Sequence, residues 1–230
     1  MNTLFLPMLT GHLIADFWVQ PASWIESKRE EGWKSKYLFF HAAIASVLPV
    51  LFTQQAGLWW FIPIIFVIHY FIDLLKSKTT DNLLFFLIDQ MLHIAILWAL
   101  ATFVTDAALP KSLTKFWIYA AGFVLVTTPA GILIGKFLQP ITKTGNKPMK
   151  ADASAWIGIV ERIMILIFIL AGQFQAIGFL VAAKSVFRFS EIKKDDNPKA
   201  EYFLLGTLVS FLLAVVVGIG MRTIQNSLQS

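Results

Sequence analysis

The chain has no cysteine among its 230 residues, which excludes disulfide bonds, thiolate metal ligands and a cysteine nucleophile. Charged residues are also scarce, at 14% of the sequence, whereas 57% is hydrophobic. No loop is long enough to form a nucleic-acid-binding module, so the net charge of +5 indicates basic loops beside anionic lipid headgroups. Residues 1–17 lack a basic region and a small-residue cleavage site, and they are predicted to form a retained first helix.

Long apolar segments make up most of the chain. They are continuous rather than alternating in twos, and lipid satisfies no unpaired backbone group, so the spans are predicted to be helices and not barrel strands. The predicted fold is all-α, a polytopic transmembrane helical bundle of about seven to eight membrane segments, in one domain that covers residues 1–230. The predicted spans are residues 2–20, 37–53, 59–76, 82–104, 113–136, 154–189 and 201–221.

The apolar region 154–189 is too long for one untilted crossing and short for two. Two glycines and two glutamines interrupt it in the sequence GQFQAIG at 172–178, which predicts a broken or re-entrant hairpin. The positive-inside rule then makes the basic side cytoplasmic and puts both termini outside. Fifteen of the 19 basic residues fall on that side, in the loops 21–36, 76–81, 136–155 and 184–200.

Two polar stretches organise the predicted bundle. Residues 139–153 have proline, glycine and lysine without an apolar period, and they are predicted to form a cytoplasmic linker between a front half, 1–138, and a back half, 154–230. The loop 21–36 contains Trp24 and Trp33 and is predicted to lie along the inner membrane interface, where tryptophan is enriched.

All four histidines lie in apolar sequence, and three of them are four residues from an aspartate. Such an i,i+4 pair lies on one face of a helix. Counting 1.5 Å per residue from the cytoplasmic helix ends places all these side chains at depths of about 5 to 16 Å, in one leaflet. The set consists of His12 with Asp16, His69 with Asp73, Asp89 with His93, and His41.

This set predicts a metal site, because aspartate inside a span costs a few kilocalories per mole and needs a partner there. Imidazole and carboxylate together suit Zn²⁺, Mn²⁺ or Fe²⁺, and seven groups exceed one tetrahedral site, so they can hold two ions. Lys76 is predicted to neutralise a carboxylate or to hold a phosphate, the alternative being simple extension to the interface. The predicted metal ligands are His12, His41, His69, Asp73, Asp89 and His93, and the predicted catalytic residues are Asp16, Asp73 and Lys76.

The back half has a second polar cluster. Glu161 and Arg162 are adjacent and diverge by about 100° on a helix, so each needs its own partner. Lys184 and Arg188 are one helical turn apart and are predicted to form a basic face at the cytoplasmic boundary. This face is predicted either to anchor the chain at the interface or to bind an anion or a lipid headgroup.

Several segments together resemble a known family. They are HLIADFWVQ, HYFIDLLK, FLIDQMLH, and the run GQFQAIGFLVAAKSVFRFSE followed by AEYFLLGTLVS. They resemble the bacterial membrane family called Domain of Unknown Function 3307, whose His/Asp pattern looks like that of inner-membrane proteins labelled metal-dependent hydrolases. The resemblance implies a bacterial inner-membrane location and gives no substrate.

The predicted function is metal-dependent hydrolysis of a phospholipid or similar amphiphile, in which an aspartate that does not bind the metal takes a proton from water. One alternative is a metal-ion or proton transporter gated at 172–178, although the outer halves of the helices are almost wholly apolar. Another is a sensor or scaffold with a structural polar network, whose basic loops recruit a cytoplasmic partner. Membrane lipids are predicted partners, nucleic acid is not, and a homo-oligomer is left open.

Overall fold

The structure is a computed structural model that describes residues 3–104, 108–140, 153–192 and 199–228. Every regular element within these ranges is helical, which confirms the all-α prediction. Among the described residues, four segments are long and apolar enough to cross a membrane, and two further apolar helices are shorter. Seven to eight crossings stay a prediction. The four long segments are Lys36–Thr53, Leu83–Phe103, Lys111–Leu138 and Leu204–Ser227.

The first helix, α1 (Phe5–Ile14), continues into a π-helical turn at Ala15–Val19. A polar helix follows it directly, and the remaining helices succeed one another through short connections in the described ranges. They are α2 (Ala22–Glu31), α3 (Lys36–Thr53), α4 (Phe61–Ser77), α5 (Leu83–Phe103), α6 (Lys111–Leu125), α7 (Thr128–Leu138), α8 (Ala153–Leu170), α9 (Phe174–Ile192) and α10 (Lys199–Ser227).

The chain divides into two compact units, Met1–Val124 and Leu125–Ser230. In the first unit, α1 and α4 both pack against α3 and against α5, and α2 lies on α3 and α4. In the second unit, α8 packs against α7, α9 and α10. The division falls near the junction of α6 and α7, and most of the predicted linker 139–153 lies outside the described residues.

Helices α1 and α3 approach most closely at Gly11. A Cβ atom built on Gly11 would lie 2.6 Å from the backbone nitrogen of Pro49 and 2.7 Å from the carbonyl carbon of Leu48, so no larger residue fits without a shift of backbone. Glycine therefore allows the two helices to touch along their backbones. Because His12 follows Gly11 and α3 carries His41, this contact also sets the spacing of the first two histidines.

The region 154–189 turns back on itself between α8 and α9. Gly172 lies in the turn with φ of 73°, a left-handed conformation that glycine adopts without steric cost. Lys184 of α9 forms an ion pair with Glu161 of α8, so the two helices run antiparallel. The turn lies at the predicted interruption, while the Arg188 side chain is outside the described part of the chain.

The predicted span 113–136 is broken where α6 ends and α7 begins, with Pro129 in the first turn of α7. Arg162 of α8 donates from Nε to the carbonyl oxygen of Val126, at 2.5 Å, and from Nη2 to that of Thr127, at 3.1 Å. Its Nη1 donates to Ser210 Oγ of α10 at 3.1 Å. The buried guanidinium thus supplies a donor to the carbonyl group of Val126 at the helix break. It supplies a second donor to the carbonyl group of Thr127, which also accepts from the backbone N–H of Gly131 in α7. Glu161 and its neighbour accordingly have separate partners, as the sequence predicts.

Candidate metal centre

The seven predicted His and Asp side chains meet inside the first unit, on α1 with its π-helical turn, α3, α4 and α5. The histidines, Asp73 and Asp89 are each at most 4% exposed, and Asp16 has a side-chain exposure of 7%. The prediction that these His and Asp side chains, which are far apart in the sequence, lie close together is confirmed. Each helix buries its His/Asp face because polar side chains in apolar helices are stabilised only by one another.

Three atoms form a small triangle at the centre of the cluster. Asp16 Oδ1 lies 3.3 Å from His41 Nε2 and 3.7 Å from His69 Nε2, and the two nitrogens are 3.0 Å apart. Ligand atoms that lie about 2.0 to 2.2 Å from a tetrahedral ion are separated from one another by about 3.3 to 3.6 Å. The triangle therefore has about the size of one face of a tetrahedral metal site.

Asp73 stands beside this triangle. Its Oδ2 atom lies 3.5 Å from His41 Nε2 and its Oδ1 atom lies 3.9 Å from His69 Nε2. Both separations exceed the range of about 2.7 to 3.2 Å for a normal N–H···O hydrogen bond. A carboxylate at this distance can serve as a fourth ligand or can take a proton from a water in the fourth position.

Two more groups of donor atoms overlap the first. One comprises His12, Asp16 and His93, and the other His69, Asp73 and His93, with the donor atoms of each group within 4.8 Å of one another. Asp16 enters two of the three groups, whereas Asp89 enters none. His12, His69 and His93 also line a cavity of about 10 Å³, roughly the space for one water molecule.

The tautomer of His93 follows from a backbone contact. Its Nδ1 atom lies 2.9 Å from the carbonyl oxygen of Asp89, and because a carbonyl can only accept, Nδ1 carries the proton. In the neutral ring Nε2 then carries a lone pair, the arrangement that is typical of metal-binding histidine. His93 Nε2, His12 Nε2 and Asp16 Oδ1 are buried without a hydrogen-bond partner among the described residues.

Two lysines and a glutamine surround the carboxylates. Lys28 of α2 places Nζ 2.5 Å from Asp73 Oδ2, and Lys76 of α4 pairs with Asp89 Oδ2. Gln90 Nε2 donates to Asp16 Oδ2 at 3.2 Å and to Asp89 Oδ2 at 3.0 Å. Lys76 therefore neutralises a carboxylate, as predicted. Lys28 is a partner that the sequence did not reveal, because it lies in a charged segment without an apolar pattern.

The comparisons with known proteins point to this same unit. The family described as Protein of unknown function (DUF3307) matches residues 4–120, a range that contains every His and Asp of the cluster. No curated protein and no solved structure matches the chain significantly. The run at 172–191 that also contributes to the resemblance lies outside the matched range. Because the match covers just over half of the sequence, the chain belongs to the family described as Protein of unknown function (DUF3307).

Proposed function

We propose that the first unit binds a divalent transition metal, Zn²⁺, Mn²⁺ or Fe²⁺, through Asp16, His41 and His69. The surroundings of Asp16 Oδ1 carry this proposal. The atom is buried without a hydrogen-bond donor among the described residues, and three imidazole nitrogens lie 3.3, 3.6 and 3.7 Å from it. A purely structural network would instead place an N–H group within about 3.2 Å of a buried carboxylate oxygen.

The neighbouring histidines support a second ion. His12 Nδ1 lies 3.6 Å from the same Asp16 oxygen, and the rings of His12 and His93 are stacked with their centroids 5.1 Å apart. Asp16 belongs to both groups and would contribute a ligand to each ion. Asp89 then acts from outside by accepting hydrogen bonds from Lys76 and Gln90 and by fixing the ring of His93 through its backbone carbonyl.

The reaction that this centre fits is hydrolysis of a lipid or amphiphilic ester. Asp16, His41 and His69 would hold a divalent ion, which when bound would supply a nucleophilic water at neutral pH. Asp73 would accept the proton of such a water as its oxygen bonds to the phosphorus or acyl carbon of the substrate, and would return that proton to the ester oxygen that leaves.

The surroundings of the cluster disfavour transport. On α3, α4 and α5 the buried faces continue past the histidines with Ala45, Ile65 and Leu97, which close the small cavity on one side. Buried hydroxyl groups farther along, such as that of Thr53, donate to carbonyl groups of their own helix. A transport pathway requires polar groups that continue across the membrane. Beyond the histidines, α3, α4 and α5 pack apolar side chains instead of such polar groups.

We propose that the metal centre lies in the cytoplasmic leaflet of a bacterial inner membrane and that the chain crosses this membrane about seven to eight times. The antiparallel pair α8 and α9 supports this topology, because the topology requires the region 154–189 to turn back rather than to cross once. Fusions of a cytoplasmic reporter at Lys147 and Asp195 are expected to be active, and fusions at Ala108 and Ser230 inactive. Activity at both Lys147 and Ser230 would contradict the topology by showing a single crossing at 154–189. Apart from Ala108, these sites lie outside the described residues.

The metal centre itself is tested on protein purified in detergent without chelators. It is expected to contain close to a stoichiometric amount of Zn, Mn or Fe by elemental analysis, and to lose thermal stability on chelation. Adding back metal at 100 times its dissociation constant is expected to stabilise the fold by about 2.7 kcal/mol, because the ion binds only the folded state. Protein that carries no metal and shows no thermal shift when these ions are added would refute the metal centre and the hydrolase together.

A further inference from the structure

Helix α2 buries one side chain, and this side chain is that of Lys28. A helix that lies along a membrane interface normally buries apolar side chains. Lys28 is only 7% exposed, while Arg29, Glu30 and Glu31 are exposed. The buried face of α2 therefore places an ammonium group in the His/Asp cluster, where an apolar side chain would be expected.

A second ammonium group reaches the cluster from α4. Lys76 pairs with Asp89, as Lys28 does with Asp73. Each ammonium group has three N–H donors, and each of these ion pairs uses one of them. Both lysines thus have donor capacity left beside the proposed metal ligands.

Once metal is bound, the net positive charge of the cluster favours binding of an anion. With the carboxylates of Asp16, Asp73 and Asp89 ionised, three negative charges face the two positive charges of the lysines. One divalent ion changes the net charge of the cluster from about −1 to about +1, and two ions raise it further. An uncompensated charge in a buried site is costly, so a bound metal makes this site attractive to an anion.

We infer that Lys28 and Lys76 hold the phosphate group of the substrate beside the metal, and that the substrate is a phosphate ester of an amphiphile. This inference rests on the proposed metal centre. Lysine binds phosphate as a compact positive charge, and a phosphate satisfies the charge that one or two ions add. Lys28 reaches the cluster from α2, whose other faces are exposed. The cluster therefore lies about the length of one lysine side chain, roughly 6 Å, below α2, and we place α2 at the level of the lipid headgroups.

Metal and phosphate are consequently expected to bind cooperatively. If the ion raises the affinity for phosphate by some factor, phosphate must raise the affinity for the ion by the same factor. We expect Lys28 and Lys76 to contribute part of this mutual increase in affinity between metal and phosphate. Removing either positive charge is therefore expected to weaken phosphate binding while leaving the metal in place.

The test uses full-length protein in an uncharged detergent, loaded with Mn²⁺, which accelerates the relaxation of nearby ³¹P nuclei. The probes are inorganic phosphate and a short-chain phosphatidic acid. Wild-type protein is expected to relax both probes in a saturable manner. Lys28→Met and Lys76→Met are each expected to weaken phosphate binding about tenfold or more, the loss that one charge-assisted hydrogen bond accounts for.

Lys34→Met is the matched control, because Lys34 belongs to the same basic segment and is exposed. It is expected to bind Mn²⁺ and both probes as the wild type does. Lys28→Arg keeps the charge and is expected to retain phosphate binding. If Lys28→Met does not fold, Lys76→Met carries the test.

Each other outcome has a distinct meaning. Wild-type protein that binds neither Mn²⁺ nor, in its place, Zn²⁺ or Fe²⁺ would refute the metal centre itself. Mn²⁺ binding without relaxation of either probe would overturn the phosphate inference alone, and relaxation of inorganic phosphate but not of the lipid would overturn an amphiphilic substrate. Methionine variants that bind phosphate like the wild type and Mn²⁺ more tightly would show that the lysines are only counter-ions of Asp73 and Asp89.

Discussion

Replacing His41 or His69 by alanine is expected to lower the affinity for metal by about 100-fold or more. Substitutions that touch only the partners of metal ligands already cost up to about 100-fold. The Nε2 atoms of His41 and His69 lie 3.0 Å apart and, with Asp16 Oδ1, form the three corners of the donor triangle. Metal content after gel filtration and the thermal shift on adding metal measure the loss. Thr114→Val is the control, because its buried hydroxyl group bonds only to backbone carbonyl groups away from the cluster.

The variant Asp16→Asn distinguishes a metal centre from a purely structural hydrogen-bond network. Asparagine has nearly the shape of aspartate, and it preserves one carbonyl oxygen for the hydrogen bond from Gln90, but a neutral amide is a poor ligand for these ions. Loss of metal equal to that in Asp16→Ala is therefore expected. Undiminished metal binding in Asp16→Asn would remove Asp16 from the coordination sphere and with it the donor triangle.

Gly11→Val is expected to lose most bound metal although residue 11 is not a ligand. The added Cβ alone would come within 2.7 Å of three backbone atoms of α3, so α1 must move away, at a cost of about 1 to 3 kcal/mol in the free energy of unfolding. His12 and Asp16 move with α1, away from His41. Gly11→Ala is expected to have a smaller effect of the same sign, measured by thermal unfolding and metal content.

The control for this series is Gly57→Val, the same substitution at a glycine whose added Cβ would have no neighbour within 4 Å. It is expected to leave both stability and metal content unchanged. Equal losses in the two valine variants would show that the backbone contact between α1 and α3 does not position the donor triangle.

The sequence predicted the helices and the His/Asp cluster because both depend on local periodicity. His69 with Asp73 and Asp89 with His93 mark the buried faces of α4 and α5 through their spacing alone. Their isolation in apolar sequence requires them to meet other polar groups. His12 joins them through the same spacing to Asp16, and His41 through its depth in its own helix.

Features that depend on contacts between distant segments did not emerge from the sequence. Lys28 pairs with a residue 45 positions away, and nothing local separates it from the exposed charges around it. The close approach of α1 and α3 at Gly11 can be predicted only once the position of α3 is known. The break before Pro129 had a local signal, since proline favours the first turn of a helix, but the uninterrupted apolar run around it outweighed that signal.

The cap that Arg162 forms on the break between α6 and α7 has a consequence for biosynthesis. The carbonyl group of Val126 leaves the ribosome before the arginine that donates to it, which follows Val126 by 36 residues. At about 5 to 20 residues per second, the delay is roughly 2 to 7 s. Because lipid offers no donor to a bare carbonyl, we expect the segment α6–α7 to stay beside water or the insertion machinery until α8 arrives. By that time all seven His and Asp residues of the cluster have already been synthesised, so the first unit is expected to assemble the cluster while the second is still being translated.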